Sequence, residues 1–366
     1  MTRGRIPIIT DYAKTDLVHL KVDPYGGDPS SQATPVSNFF GKSRPTITVA
    51  ASNTSNVAGR ADYECDGTDD HLTIQEAIDA LPADGGRVLL LDGAFTCGGQ
   101  IVIPHDTTLT GVGKSTLINL DFVQDIGIVN KAADGWRITV ANMRIDGKNK
   151  TNDLIEFQGG IRCVFHNLEL FNGVHDGIEL AVNSRDCIIH NVHAYSSGTY
   201  HGIEIDDGSY NNTISNCVVY GAPASGIVID GTAHHNLITG CISRDNTGYG
   251  IRLNANTHDN VVVGNLTEGN TVGHVLDGGT DNTVIAYADG NVGVGAAAPA
   301  GKYHIDQSVA DAAIPALVLD QADVSEGFIN FVGSDRGVIG EGTNSTVSVR
   351  VELGGVVYRL ALYADA

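Results

Sequence analysis

The sequence predicts an all-β chain built as a stacked coil, and three observations predict it. First, glycine-anchored segments recur at Gly177, Gly202, Gly226, Gly250 and Gly273, spaced 25, 24, 24 and 23 residues apart. They read Asp176-Gly-Ile-Glu-Leu, His201-Gly-Ile-Glu-Ile, Ser225-Gly-Ile-Val-Ile, Tyr249-Gly-Ile-Arg-Leu and Val272-Gly-His-Val-Leu. A fixed period of this length means one supersecondary unit stacked on copies of itself. Second, Asn142, Asn167, Asn191 and Asn216 recur at 25, 24 and 25, continued by Gly240 and Gly264. Asn and Gly tolerate the left-handed conformation of a tight corner, and stacked Asn side chains can hydrogen-bond their copies above and below. Third, 45 glycines with only 2 Met and 1 Trp, and dense Asn-Gly, Asp-Gly and Ser-Gly punctuation, fit many short strands and turns.

Along the chain, residues 1–60 are rich in Pro, Ser, Asn and Thr and read as a head or linker, with a hinge expected around Ala50–Gly59. After Asp66-Gly-Thr-Asp-Asp70, the segment to Leu81 places Leu72, Ile74, Ile78 and Leu81 at helical spacing, and its aspartates suit a helix N-terminus. Strands are expected in Gly85–Gly93, Ile101–Pro104 and Thr108–Gly113, and the coil then runs to about Gly290. There the period stops, and Ile314–Asp320, Phe328–Val332 and Val347–Val351 read as short strands of a terminal β-rich domain. The predicted division is 1–60, 61–290 and 291–366.

The ordered run from the Asp66–Asp70 turn through the helix and first strands resembles the start of the pectate-lyase-like superfamily. That resemblance implies a right-handed, single-stranded parallel β-helix, with an N-terminal helix capping the open end of the coil and removing a sticky strand edge. Asn291-Val-Gly-Val-Gly through Asp306 resembles a connector near the C-terminal ends of bacteriophage tail fibre and tailspike proteins. It implies a virion-associated, extracellular homotrimer attached to a viral tail or baseplate through its N-terminal segment.

A formal charge of −21 argues against nucleic acid as partner, since phosphate binding needs Lys/Arg clusters. The same acidity suits an extracellular or virion protein. No stretch approaches the roughly 20 apolar residues of a membrane helix, so no membrane partner is expected, and the first residues show no Sec-type apolar core. Cys163 and Cys187 stand 24 apart, as do Cys217 and Cys241, so each pair fills one repeat position and free thiols are expected.

Strand alternation sorts the repeat into columns. Ile178, Leu180, Ile203, Ile205, Ile227, Ile229, Ile251 and Leu253 face inward, with Ile155 and Phe157 in the preceding turn. One outward column is expected to run Glu156, Glu179, Glu204, Val228, Arg252, Val275, and its neighbour Gln158, Ala181, Asp206, Asp230, Asn254, Asp277. Adjacent coils lie about 4.8 Å apart, so these carboxyls crowd and at least one pKa must rise unless a cation or sugar hydroxyl answers the charge. Glycoside hydrolysis uses such a pair, one carboxyl neutral and one ionised. Glu179, Glu204, Asp206 and Asp230 are therefore the candidate acid, base and nucleophile of a polysaccharide depolymerase. Glu179 with Glu204 matches the ~5 Å separation of a retaining mechanism, and Glu204 with Asp230 the ~6.5–9.5 Å of an inverting one. The plain alternative is a solvated acidic face.

His175, Asp176, Tyr200, His201, Tyr249 and Arg252 flank this face and are the candidate sugar-binding residues; Tyr200 and His201 also offer a lyase acid and base. No cofactor is required for hydrolysis, while Ca²⁺ at Glu179, Glu204 and Asp206 is the cation candidate. His166 and His190 share another column, continued by Ser215 and Thr239, which supply no further strong metal ligands. Val174-His175-Asp176-Gly177 keeps only the Asp-Gly of the Asn-Thr-Asp-Gly turn of polygalacturonases, and Arg252 is the one basic residue in the two columns, which weakens a pectate-type lyase. Hydrolysis is thus favoured; a uronate lyase or epimerase and a non-catalytic receptor-binding tail protein are the alternatives.

Overall fold

A computed structural model of the chain describes residues 45–55, 61–123, 126–131, 135–195, 198–288, 291–294, 303–305, 347–353 and 356–362. Eight strands form one all-parallel sheet in strict chain order: Ile101–Ile103, Ile126–Asn130, Asp153–Gln158, Ile178–Ala181, Ile203–Ile205, Ile227–Ile229, Tyr249–Leu253 and Gly273–Asp277. Between each pair the chain leaves, forms strands of a second parallel ladder such as Val164–Phe171 and Ile188–Tyr195, and returns one rung further on. Parallel crossovers of this kind are right-handed almost without exception, and the coil is a right-handed parallel β-helix of about eight turns.

The expected core columns are in place. Ile155, Ile178, Ile203, Ile227 and Ile251 are fully buried, as are Phe157, Leu180, Ile205, Ile229 and Leu253 one step along. Each such side chain stabilises the coil by about 1.5–3 kcal/mol relative to exposure. All six cysteines are free and buried, and the Cys163 amide donates to Cys187 Sγ at 3.3 Å across one rung.

The last rung differs from expectation. Gly273 opposes Tyr249 rather than Gly250, Val275 opposes Ile251, and Leu276 opposes Arg252. Val275 is therefore core and Leu276 continues the glutamate column. The alternation of buried aliphatics sets the register there, and the glycine position gives way to it. Gly273 also leaves room for Tyr249, whose Cε1 would lie 3.0 Å from any Cβ added at Gly273.

The asparagine corner forms as predicted. Asn142, Asn167, Asn191 and Asn216 have φ of 57°, 54°, 50° and 52°, and Gly240 and Gly264 continue at 65° and 70°. Asn167 Nδ2 donates to Asn142 Oδ1 at 2.9 Å and Asn191 Nδ2 to Asn167 Oδ1 at 2.7 Å. A second, buried ladder was not anticipated: Asn212, Asn236 and Asn260 each donate backbone N–H and side-chain Nδ2 to the next asparagine Oδ1, ending on Asn282.

The helix spans Asp70–Asp79 and buries Ile74, Ala77 and Ile78 against the first strands. Leu72, expected on that face, is 57 % exposed, because Ala77 takes the place in the apolar stripe. The buried Asp70 carboxylate binds the amides of Gly67 and Thr96, fastening the helix start to the coil. Thr46–Ala50 lies within the segment read as head, yet it is a strand paired in parallel with Gly86–Leu90, and Val49 is fully buried.

Of the C-terminal expectations, Asn291–Val294 pairs antiparallel with Thr283–Ala288, and Tyr303–Ile305 pairs in parallel with Asn291–Val294. Separately, Val347–Leu353 and Val356–Leu362 form an antiparallel hairpin. The strands expected at Ile314–Asp320 and Phe328–Val332 lie outside the described residues.

Candidate active site

The eight-stranded sheet brings the predicted carboxyls into one column. Glu156 opposes Glu179, Glu179 opposes Glu204, Glu204 opposes Val228, and Val228 opposes Arg252. The column is not the solvated face that simple alternation suggests. Glu156 and Glu204 are each 8 % exposed and Val228 is fully buried. Burial changes the chemistry, because a carboxylate that cannot be hydrated prefers its proton.

One step before the repeat glycine lies a ladder that organises the site. Asp176 N–H donates to Asp153 Oδ1 at 2.9 Å, and His201 N–H to Asp176 Oδ1 at 2.7 Å. Ser225 N–H then donates to His201 Nδ1 at 3.1 Å, and Tyr249 N–H to Ser225 Oγ at 3.1 Å. Each side chain thus fixes the backbone of the next coil, and each is fixed in turn. The sequence shows this column only once the period is laid in register, and Asp153, which heads it, is a site residue beyond those the sequence points to.

The ladder gathers charge around the imidazole of His175. Its Nδ1 hydrogen-bonds Asp153 Oδ1 at 2.8 Å and lies 2.8 Å from Asp176 Oδ2 as well. Asp176 is fully buried, so that second oxygen faces the ring rather than water. Asp176 and then Asp153 hold the His175 pKa up at about 9, so this ring is an imidazolium at neutral pH. Tyr200, 45 % exposed, covers it with ring centroids 3.7 Å apart.

His201 behaves oppositely. Burial, reinforced by Arg252, lowers its pKa and keeps it neutral. Its Nδ1 lies 3.1 Å from the Ser225 amide and 3.2 Å from the Ser225 carbonyl. An amide N–H only donates, so Nδ1 accepts from it, and the proton of the neutral ring sits on Nε2.

Among the carboxyls, burial first, then Glu156, Asp153, Asp176 and Asp206, push Glu179 up to about 8. Burial, then Asp176, Glu179 and Asp206, push Glu204 up to about 10. Asp153 rises to about 6 through burial, with Asp176 adding to it. Asp206 is raised too, by burial and then Asp207 and Asp230, while its Oδ1 accepts the Asp207 amide at 2.6 Å. Asp230 accepts the Gly231 amide at 2.7 Å and a hydrogen bond from Asn254 Nδ2. It therefore stands committed to its own turn, one coil beyond Asp206.

For a cation, the described residues gather ligand atoms within 4.8 Å in two sets, Asp153–His175–Asp176 and Asp153–Glu156–Glu179. The expected set of Glu179, Glu204 and Asp206 is not among them; the carboxyls converge one coil earlier, around Asp153. Arg252 keeps Nε buried without a partner, and Tyr249 ends the ladder two coils beyond His201.

A family model described as "Periplasmic copper-binding protein (NosD)" matches residues 111–286, just under half of the chain. Among curated proteins no relative is found by sequence. Solved structures similar to this chain include the A-module of the Azotobacter vinelandii mannuronan C-5 epimerase, at 18 % identity over 61 % of this chain and 78 % of that one, with a TM-score of 0.39. A pectate lyase matches at 13 % identity over 68 % and 79 %, with a TM-score of 0.43. The Dettilon tailspike protein matches at 15 % identity over 61 % of this chain and 51 % of its own, with a TM-score of 0.46. This chain thus spans about half of that tailspike. The parallel register, rung by rung, carries the assignment: the chain is a right-handed parallel β-helix protein.

Proposed function

We propose that the chain is a polysaccharide depolymerase that hydrolyses glycosidic bonds at the Glu179–Glu204 pair. The observation that carries this reading is the pair itself: a half-buried Glu179 and a buried Glu204 on neighbouring rungs, pushed up to about 8 and about 10. Rungs about 4.8 Å apart match the ~5 Å carboxyl separation of a retaining enzyme. Glu204 keeps its proton and donates it to the glycosidic oxygen as that bond breaks. Glu179, ionised, attacks the anomeric carbon and forms a glycosyl ester. Water then displaces Glu179, giving its proton to Glu204 and restoring the starting state. The His175 imidazolium, the half-exposed Tyr200 ring and Arg252 would position the sugar, with Asp206, Asp230 and Tyr249 further along the polymer.

Lyase or epimerase chemistry is the alternative, with His201 or Tyr200 taking a proton. It is weakened at His201, because the Ser225 amide occupies Nδ1 and leaves Nε2 as a donor. A bound Ca²⁺ at Asp153, Glu156 and Glu179 would serve that alternative, as a hard cation on three carboxylates. The sequence resemblance supports a virion-associated, homotrimeric setting, with residues 1–60 for attachment and 291–366 as a terminal domain. The test is incubation with bacterial capsular, O-antigen, alginate and pectin polymers. New reducing ends without unsaturated products support hydrolysis. The ultraviolet absorbance of an unsaturated uronate would replace it with a lyase, and binding without either product with a receptor-binding protein.

A further inference from the structure

Nδ1 of His175 stands between two carboxylate oxygens, Asp153 Oδ1 at 2.8 Å and Asp176 Oδ2 at 2.8 Å. A ring nitrogen carries at most one hydrogen, so a single N–H serves two anionic acceptors. The three atoms gather within 4.8 Å of one another, and the backbone of the neighbouring coils holds them there. The Asp176 amide donates to Asp153 Oδ1 at 2.9 Å, and the His201 amide donates to Asp176 Oδ1 at 2.7 Å. The second of these bonds occupies one oxygen of Asp176 and leaves the other, Oδ2, turned to the ring. Outer hydrogen bonds that orient carboxylate and imidazole ligands in this way are what aims a ligand set at a cation.

Charge argues in the same direction. Two aspartates around an imidazolium leave one negative charge over, with both carboxylates buried and Asp176 fully so. A buried charge without compensation is costly, and Glu179 and Glu204 on the neighbouring rungs supply no positive charge. A divalent cation in place of the ring proton brings the same three side chains to neutrality. The donors decide which cation. One imidazole nitrogen with two carboxylate oxygens is a borderline set that suits Zn²⁺, whereas Ca²⁺ takes about six to eight oxygens. Zn²⁺ holds such atoms at about 2.0–2.2 Å, so two ligands of one ion stand roughly 2.8–3.6 Å apart, and both N···O spacings fall at the short end of that range. The His175 side chain is 31 % exposed, which opens the set to solvent for an ion to enter and for water to complete its coordination.

We propose that Asp153, His175 and Asp176 form a binding site for one borderline divalent cation of the Zn²⁺ class. As the bond from Nδ1 to the metal forms, the Nδ1 proton passes to solvent, and nothing is oxidised or reduced. The ion ties the coil of Asp153 to the coil of His175 and Asp176, beside the carboxyl pair. The oxygen-only set of Asp153, Glu156 and Glu179 shares one residue with this site but offers no nitrogen ligand. The site does not depend on the hydrolytic reading, and its test needs no substrate.

Titration calorimetry of the full chain, stripped with a chelator, with Zn²⁺ and then with Ca²⁺ tests it. The chain should take up one Zn²⁺, and Ca²⁺ at equal concentration should not displace it. Asp153→Asn keeps an oxygen for the Asp176 amide, and His175→Phe keeps a ring beneath Tyr200. Each should retain the circular dichroism spectrum and weaken Zn²⁺ binding at least ~10-fold. The competing surface is the corner of His234, His235 and His258, whose ring centroids lie 4.9 to 6.3 Å apart. His234→Gln with His258→Gln should leave the affinity unchanged. No uptake of Zn²⁺ by the unaltered chain overturns the proposal, as does equal affinity in folded Asp153→Asn and His175→Phe chains. Loss of binding in the His234→Gln, His258→Gln chain overturns the location, and displacement by equal Ca²⁺ overturns the class of cation.

Discussion

Asp176 accepts the backbone N–H of His201 at 2.7 Å, across one rung of the helix and fully out of water. The same carboxylate raises the pKa of both His175 and Glu204, so one side chain joins the scaffold to the titration of the site. Asp176→Ala should leave the buried His201 amide unpaired and cost about 2 kcal/mol, read as a lower urea midpoint with an unchanged slope. Asp176→Asn keeps an acceptor oxygen for that amide but removes the charge. It should retain most of the stability while the His175 and Glu204 pKa values both fall, as followed by NMR titration.

Stability should fall as pH rises, the reverse of the usual acid denaturation. A carboxyl whose folded pKa is raised keeps in the native state a proton that the unfolded chain has lost, so stability present at low pH drains away between the unfolded and folded values. For Glu179 that window closes at about 8 and for Glu204 at about 10. His175 acts in the same direction, its contribution present below the ordinary histidine pKa and lost as pH rises through about 9. His201 and His166, held below the ordinary histidine pKa by burial, act the other way but only up to about that value, so urea midpoints measured from about pH 7 to pH 9 should decline steadily; a rising midpoint would show the carboxyls ionised in the fold.

Turnover should follow a bell. It rises as Glu179 loses its proton near 8 and falls as Glu204 loses its own near 10. Glu179→Gln should remove the rising limb along with at least ~100-fold of the rate. An optimum near pH 5, with turnover already falling at neutrality, would assign the work to other groups.

The buried asparagine ladder should be costly to interrupt. Asn236 accepts two hydrogen bonds from Asn212 and donates to Asn260 Oδ1 and the Ser209 carbonyl. Asn236→Ala strands several of these partners in the core and should cost about 3 kcal/mol, whereas Asn191→Gly, which keeps the left-handed corner accessible in the exposed outer ladder, should cost under about 1 kcal/mol. Chemical denaturation of the two variants side by side measures the difference.

Much of this architecture was legible because a coil repeats its geometry. The inward isoleucines, the left-handed Asn corner, the unpaired cysteines and the opposition of Glu179 to Glu204 all follow from a period of about 24 residues. What escaped were features that depend on depth. Alternation distinguishes two sides of a strand, yet it cannot tell that Glu204 and Val228 are buried on the side away from the core. Asp153 stands in the same register, as the counterpart of Asp176 in Asp153-Leu-Ile-Glu-Phe157, but that its carboxyl belongs to the site shows only in its hydrogen bond to the Asp176 amide. The last rung departs from the glycine period because the buried Val275, and not Gly273, holds the register.

The most direct measurement is the turnover of Glu204→Gln on a polysaccharide that the unaltered chain degrades. Glutamine reproduces the shape and hydrogen bonding of the protonated carboxyl while having no proton to give, so the variant should fold, keep or gain stability at alkaline pH, and lose at least ~100-fold of the rate of reducing-end release. Unchanged turnover in a folded Glu204→Gln chain would contradict the account.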